Sequence, residues 1–347
     1  MQGYFRINTF DLEPGMRVAE EVETDHGAIL VSPGTILNQK LINKLSRLGV
    51  QRVAIYSPED EEVGEEELEQ KLEEVKYERS KEKIMGVFEN INRGKELQQE
   101  EVKEVVEDVM EINSNVNVMK LLTRVRDRDD YTYNHSVNVG LMAMMFGRWL
   151  DMPEKDIKKL TYAGFLHDIG KAQVPEEILK KEGPLTEEEY AEVKKHSIYG
   201  YKLVKDNMYI SQKTAQAILC HHERKNGKGY PLGLSGEDIP YFARIIGIID
   251  TYDAMTSDRP YKQHEVPFEV LKLLGQESLQ VFDISLLETF TKNVASYHQG
   301  EKIRLNNGEI GELVFIDPSQ PTSPIVKVED HFIDLRKSNL YIEDLNE

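Results

Sequence analysis

Four rhythms of hydrophobic and polar positions succeed one another along the chain. Residues 1–57 alternate in short β-like runs, 16–22 and 28–31, joined by a turn at Asp25-His26-Gly27. Pro33-Gly34 breaks the chain, Asn38 is placed to cap a helix carrying Leu41, Ile42, Leu45 and Leu48, Gly49 ends it, and residues 50–56 read as another strand. This segment is expected to be a small α+β accessory or regulatory domain. From 65 to 112 the spacing turns helical: Leu68, Leu72 and Val75 form one stripe and Val102, Val105, Val109 and Ile112 another, interrupted at Asn92-Arg93-Gly94. The 58–112 stretch is expected to be a helical connector, either packed on the main domain or forming a homodimer as a coiled coil, for which its seam is short and broken.

Residues 113–299 are almost wholly helical in pattern, with Pro153, Pro175, Gly183-Pro184 and the glycines of 227–236 as punctuation. Thr186 followed by Glu187, Glu188 and Glu189 has the form of a capping box. Met142, Met144, Met145 and Trp149 are expected in the core. Residues 300–347 return to alternation, with strands expected at Lys302–Leu305, Ile310–Phe315 and Ile325–Val328 and a tight turn at Asn307-Gly308. The fold class expected is multidomain and mainly all-α, with a small α+β N-terminal domain and a short β-rich C-terminal appendage.

Composition narrows the class. The 347 residues are 39% hydrophobic, enough for a sizeable core and too much for a disordered chain. No run approaches the ~18 apolar residues of a membrane span, so no membrane insertion is expected. The first residues lack a signal-peptide pattern and Cys220 is the single cysteine, which suits a reducing cytoplasm. The formal charge of −19 is unevenly spread: 0 over residues 1–58, −12 over 59–112, −2 over 113–299 and −5 over 300–347. The total argues against a DNA- or RNA-coating protein. The near-neutral central segment leaves a small anionic ligand open.

Chemistry concentrates in that segment. Seven of the nine histidines lie within 135–298, and His135, His167, His196, His221 and His222 are joined by Asp168 and Asp250. Imidazole with carboxylate suits borderline first-row metals, and five plus two donors exceed what one tetrahedral ion needs. Two ions sharing a carboxylate would use them, a common device for attack on a phosphoryl group. The neighbours His221 and His222 would point ~100° apart within a helix, so both can ligate from a helix end or from different depths. Lys171 shares a helical face with His167 and Asp168 and can hold an oxyanion or phosphate. Asp253, three residues after Asp250, is placed to support a ligand histidine.

The order of the pieces is specific. His167-Asp168-Ile169-Gly170-Lys171 is followed by His221-His222-Glu223-Arg224-Lys225-Asn226-Gly227-Lys228-Gly229-Tyr230-Pro231, then by Asp250-Thr251-Tyr252-Asp253-Ala254-Met255-Thr256-Ser257-Asp258-Arg259-Pro260-Tyr261-Lys262. With Tyr131-Thr132-Tyr133-Asn134-His135-Ser136 upstream, this series resembles the HD-GYP family of bacterial cyclic di-GMP phosphodiesterases, within the wider HD-domain phosphohydrolases. The resemblance covers about residues 113–299 and implies an HD-type helical catalytic domain there. It implies one metal on His135, His167, Asp168 and Asp250 and another on Asp168, His196, His221 and His222, with Asp168 and a water or hydroxide as bridges. It further implies in-line attack by that bridging group, catalytic roles for Asp168 and Lys171, and substrate contacts at Tyr230, Arg259 and Lys262. The metals implied are two divalent ions, iron or manganese first, zinc or nickel as alternatives.

Some members carry a carboxylate four residues before the first ligand histidine and use it for a third metal. Here that position is Tyr131, so two metals and the linear product pGpG, with slow or no onward conversion to GMP, are expected. Asn226, where many members have Asp, is a loop position of little expected effect. Partners implied are cyclic di-GMP itself and cyclic di-GMP synthases. The competing possibilities are an HD phosphohydrolase acting on another cyclic dinucleotide or on a nucleotide such as ppGpp, and a catalytically silent binding module. Outside the motifs, His26, His264, His298 and His331 are expected at the surface and Cys220 buried in a helix.

Overall fold

The computed structural model describes residues 4–12, 14–23, 29–56, 65–110, 118–124, 131–181, 183–257 and 265–345. The chain divides into two compact units, Met1–Glu69 and Gln70–Glu347.

The first unit pairs β1 (Tyr4–Asn8) with the strand that closes it, and β2 (Val22–Glu23) with β3 (Ile29–Val31); α1 (Gln39–Arg47) precedes β4 (Arg52–Tyr56), the antiparallel partner of β1. Asn38 caps α1 as expected, its Oδ1 accepting from Leu41 N at 2.8 Å. Val18, Leu37, Leu45, Val53 and Ile55 close a core of their own. The strand expected over 16–22 is mostly irregular. Arg17 and Val18 bridge to different partners, Ile36 and Ile55, and only Val22–Glu23 forms a ladder. The turn at Asp25-His26-Gly27 lies outside the described residues.

The second unit is helical: α2 (Glu65–Asn92, which runs across the division), α3 (Gln99–Met110), α4 (Val118–Arg124), α5 (Tyr131–Trp149), α6 (Glu154–Leu166), α7 (Glu176–Leu179), α8 (Glu187–Lys194), α9 (His196–Val204), α10 (Gln212–Cys220), α11 (Tyr241–Thr256), α12 (Pro267–Val281) and α13 (Ile284–Ser296). Helices α2 and α3 put their apolar faces into the main core through Tyr77, Ile84, Val87, Phe88 and Ile91 and through Val102, Val105, Val106 and Val109. Polar pairs on their flanks join them, Lys83 with Asp108 at 2.8 Å and Asn90 with Glu101 at 2.9 Å. Of the expected stripes, Val102, Val105 and Val109 are buried inside the unit. Val75, expected on a buried stripe, is 64% exposed, because α2 turns its Tyr77–Ile84–Phe88 face inward instead. Met142, Met144 and Met145 are fully buried, Trp149 packs at the core's edge, and Thr186 forms the expected capping box with Glu189.

A five-stranded antiparallel sheet follows, built from β5 (Lys302–Leu305), β6 (Ile310–Phe315), β7 (Ile325–Val328), β8 (His331–Asp334) and β9 (Ile342–Leu345), in the order β8-β7-β6-β5-β9. Ile303, Leu305, Leu313, Val326 and Ile342 carry the main core into it. Gly308, at φ +87°, makes the expected turn after β5. No helix among the described residues is long and apolar enough to cross a membrane.

Candidate metal centre

Five of the seven donors come together because helices end or begin at their motifs. Helix α6 stops at Leu166, so His167 and Asp168 fall on its C-terminal cap and on the start of a short 3-10 turn; α9 begins at His196; α10 stops at Cys220, directly before His221 and His222. The adjacent histidines therefore leave from a helix end, one of the two arrangements that lets both face a common point. His135 projects from α5 and Asp250 from α11.

The last turn of a helix leaves carbonyls without an intrahelical partner, and three rings use them. Nδ1 of His167 donates to Gly164 O at 2.7 Å, that of His196 to Val193 O at 2.7 Å, and that of His221 to Ile218 O at 2.8 Å. A carbonyl only accepts, so each of these rings carries its proton on Nδ1 and turns the Nε2 lone pair into the cluster. His135 Nδ1 is held by Asp253 Oδ2 at 2.7 Å.

The Nε2 atoms converge to 3.1 Å between His135 and His167 and 3.4 Å between His196 and His221. Asp168 lies between the two pairs, its Oδ2 3.3 Å from His167 Nε2 and 3.7 Å from His135 Nε2, and its Oδ1 3.4 Å from His196 Nε2. Asp250 reaches both ways too, with Oδ1 3.2 Å from His135 Nε2 and Oδ2 3.7 Å from His222 Nδ1. Three overlapping groups have donor atoms close enough to share an ion: His135–His167–Asp250, His196–His221–His222 and His167–Asp168–His221.

Electrostatics match a cation. Burial pushes the His196, His221 and His222 rings down, His222 to about 3, so they are neutral ligands. Burial would also lower His135, but Asp250 and Asp253 on either side push it up to about 9. Burial opposes ionisation of Asp168 and Asp250 too. The Lys171 ammonium overcomes it for Asp168, and the hydrogen bond from the His135 ring for Asp250, holding both well below the usual carboxylate range. Lone pairs of fixed direction facing one another beside two carboxylates demand positive charge between them, and the imidazole and carboxylate donors suit a borderline divalent metal.

Neighbouring backbone has been cleared for this convergence. A Cβ on Gly170 would lie 1.9 Å from His196 O and 2.3 Å from Gly200 N, so only glycine lets the turn after Asp168 touch α9. A Cβ on Gly229 would lie 2.4 Å from Glu223 Cα and 2.5 Å from His222 O, which seats the following Tyr230 on the metal side of the loop. The Tyr230 ring stacks on His222 at 4.5 Å, with Lys194 Nζ 5.6 Å from its centroid. Lys171 Nζ pairs with Asp168 Oδ2 at 2.5 Å. Arg259 and Lys262 lie outside the described residues.

Several residues that shape the site were not singled out from the sequence. The buried Glu223 carboxylate accepts from the backbone N–H groups of Leu232, Gly233 and Leu234 at 2.6, 3.1 and 2.9 Å, closing the loop around Tyr230. Its place inside the His221-to-Pro231 motif was the available signal. Arg224 donates to His221 O at 2.9 Å and to Glu223 O at 3.0 Å. Asn138, one helical turn after His135, donates to Asp253 Oδ1 at 2.9 Å. His298 is 4% exposed rather than at the surface, because Glu301 Oε2 holds its Nδ1 at 2.6 Å and Phe268 packs on its ring. His331 is exposed, Cys220 is buried, and His26 and His264 are not among the described residues.

Comparison with known proteins agrees with this geometry. The HD domain family matches residues 115–286. A cyclic di-GMP phosphodiesterase of Pseudomonas aeruginosa is 33% identical over 251 residues, 72% of this chain and 60% of that protein. A cyclic di-GMP phosphodiesterase of Thermotoga maritima is 34% identical over 178 residues, 51% of this chain and 48% of that protein. A 3′3′-cGAMP-specific phosphodiesterase of Vibrio cholerae is 34% identical over 56% of this chain and 44% of its own length. The chain thus spans between 44% and 60% of the length of these relatives. Among solved structures, a "HDG'Y'P protein" from Bdellovibrio bacteriovorus shares the fold with a TM-score of 0.56 at 18% identity, covering 84% of this chain and 99% of that one. With the HD family matched over residues 115–286 and the motif series built into one cluster of imidazoles and carboxylates, the chain carries an HD domain.

Proposed function

We propose that the chain is a metal-dependent phosphodiesterase that hydrolyses cyclic di-GMP to linear pGpG in second-messenger signalling. The observation that carries this is the placement of Asp168, whose two oxygens face different histidine pairs. His135, His167, Asp168 and Asp250 would hold one divalent cation, and Asp168, His196, His221 and His222 the other. Iron or manganese is the first choice for this donor set, ahead of zinc or nickel. When bound, such a pair supplies an ionised water and neutralises phosphoryl oxygens.

The chain's own residues do the rest. Asp168 and Asp250 keep their negative charge despite burial. The fixed tautomers of His167, His196 and His221 keep donor directions constant. Lys171, 29% exposed at the edge of the cluster, offers an ammonium to the charge that develops on the phosphoryl group. Tyr230, backed by His222, offers a ring face to a base or ribose. Arg259 and Lys262 are assigned to the substrate phosphates or a guanine edge by the family pattern alone. Tyr131 in place of a carboxylate supports two cations and a reaction that stops at pGpG.

The relative specific for 3′3′-cGAMP makes that dinucleotide the second candidate substrate. Protein purified without oxygen and loaded with iron or manganese should convert cyclic di-GMP to pGpG, separated by chromatography, and a chelator should stop it. Faster turnover of 3′3′-cGAMP would reassign the substrate. Cyclic di-GMP bound but recovered intact after hours would make the chain a binding module instead.

A further inference from the structure

The support behind His135 continues beyond Asp253. Asp253 Oδ2 accepts from His135 Nδ1 at 2.7 Å, Asp253 Oδ1 accepts from Asn138 Nδ2 at 2.9 Å, and Asn138 Oδ1 accepts from the Tyr77 hydroxyl at 2.8 Å. All four side chains are buried, at 3%, 3%, 4% and 1% exposure for His135, Asp253, Asn138 and Tyr77. Three helices take part: Tyr77 stands on α2, His135 and Asn138 on α5, and Asp253 on α11. The directions are mutually consistent. The carboxylate can only accept, so it takes the Asn138 amide N–H, and this turns the amide oxygen to the Tyr77 O–H.

Packing alone does not hold this arrangement. Asn138 and Asp253 both line a cavity shared with Met119, Leu122, Met142 and His298. A side chain with open space beside it is oriented by its hydrogen bonds. In a buried environment successive bonds polarise one another. Carboxylates that hold the far nitrogen of a ligand histidine fix the ring and raise its basicity.

We propose that Tyr77 and Asn138 are positioning residues of the metal centre: they hold the Asp253 carboxylate so that His135 presents Nε2 to the cation of the His135–His167–Asp250 group. Helix α2 thereby reaches a metal ligand through its buried tyrosine. The proposal rests on the metal-centre reading and not on the identity of the substrate.

The test uses the full chain, freed of metal and titrated with manganese(II), with unbound manganese followed by electron paramagnetic resonance. Wild type should take up two ions. Tyr77→Phe, which keeps the ring and removes only the hydroxyl, and Asn138→Ala should each weaken one ion by about 10-fold or more and leave the other nearly unchanged. Ile84→Val trims a methyl from the same buried face of α2 without touching the chain of hydrogen bonds, and should bind as wild type does. Unaltered uptake by both Tyr77→Phe and Asn138→Ala overturns the proposal. So does an equal loss in Ile84→Val, because the effect would then be one of helix packing. If wild type takes up no manganese, the metal-centre reading falls with it. Normal uptake without hydrolysis of any cyclic dinucleotide overturns only the proposed function.

Discussion

Three imidazoles of the cluster are committed to a single tautomer before any ion arrives, since a helix-terminal carbonyl three residues back holds each Nδ1 proton. The donors are therefore preorganised, and the cost of assembling them is met by folding. Asp168 is the residue on which both halves depend, because its oxygens address His167 on one side and His196 on the other. Asp168→Ala should lose both metals, read as a fall from about two ions per chain to none by elemental analysis, and hydrolysis should vanish with them. Retention of either ion would show that the two groups do not share this carboxylate. At this scale the sequence was informative about the donors, since each is a residue type with little other reason to sit in that order. It was silent about Tyr77, which lies 61 residues from its partner Asn138 and meets it only because α2 packs on α5. A hydrogen bond between distant helices leaves no local spacing to read.

Helix ends supply five of the seven donors, His167, Asp168, His196, His221 and His222, and the loop after α10 shows how. Glu223 is a buried acid whose negative charge is spread over three backbone N–H groups. Hydrogen bonds to a charged group contribute about 1.5–3 kcal/mol each when their loss leaves buried groups unsatisfied. Glu223→Gln keeps the shape but removes the charge and turns one acceptor into a donor facing an N–H. It should lower stability by about 2 kcal/mol in urea denaturation and release Tyr230 from His222, raising KM for the dinucleotide more than it lowers kcat. An unchanged denaturation midpoint would mean that the loop is held by packing. Long elements were legible because α3 and α13 carry sustained apolar periodicity and α5 and α11 carry long apolar runs. Short ones were not. β1 and β9 are four- or five-residue strands whose existence depends on the distant partners β4 and β5, and β8 is joined to β7 by a two-residue turn at Glu329-Asp330 that lacks the glycine that would signal it. The same holds for α2, whose buried face follows the helices it packs on and not its own weak apolar pattern.

The formal charge of −19 belongs to the molecule as a whole and misdescribes its centre, where residues 113–299 carry −2. Two divalent cations would reverse that sign, so an anionic dinucleotide need not be repelled. Stability should be similarly local. Met1–Glu69 and Gln70–Glu347 are separate compact units, the smaller with a core around Val18, Leu45 and Val53, the larger with a core that runs from α2 into the C-terminal sheet. All seven imidazole and carboxylate side chains of the cluster lie in the larger unit. An ion that binds only the folded state stabilises it by about 2.7 kcal/mol at a hundredfold excess over Kd, and for a unit of this size each kcal/mol moves the midpoint by roughly 2–4 °C. Scanning calorimetry should therefore resolve two transitions, and removing metal with a chelator should lower the larger unit's midpoint by roughly 5–10 °C per ion. The smaller unit's midpoint should stay fixed, because none of the donors lies within Met1–Glu69. A single transition moving as one would show that the two units unfold cooperatively. A shift in the smaller transition as well would show that the stabilisation is not confined to the larger unit.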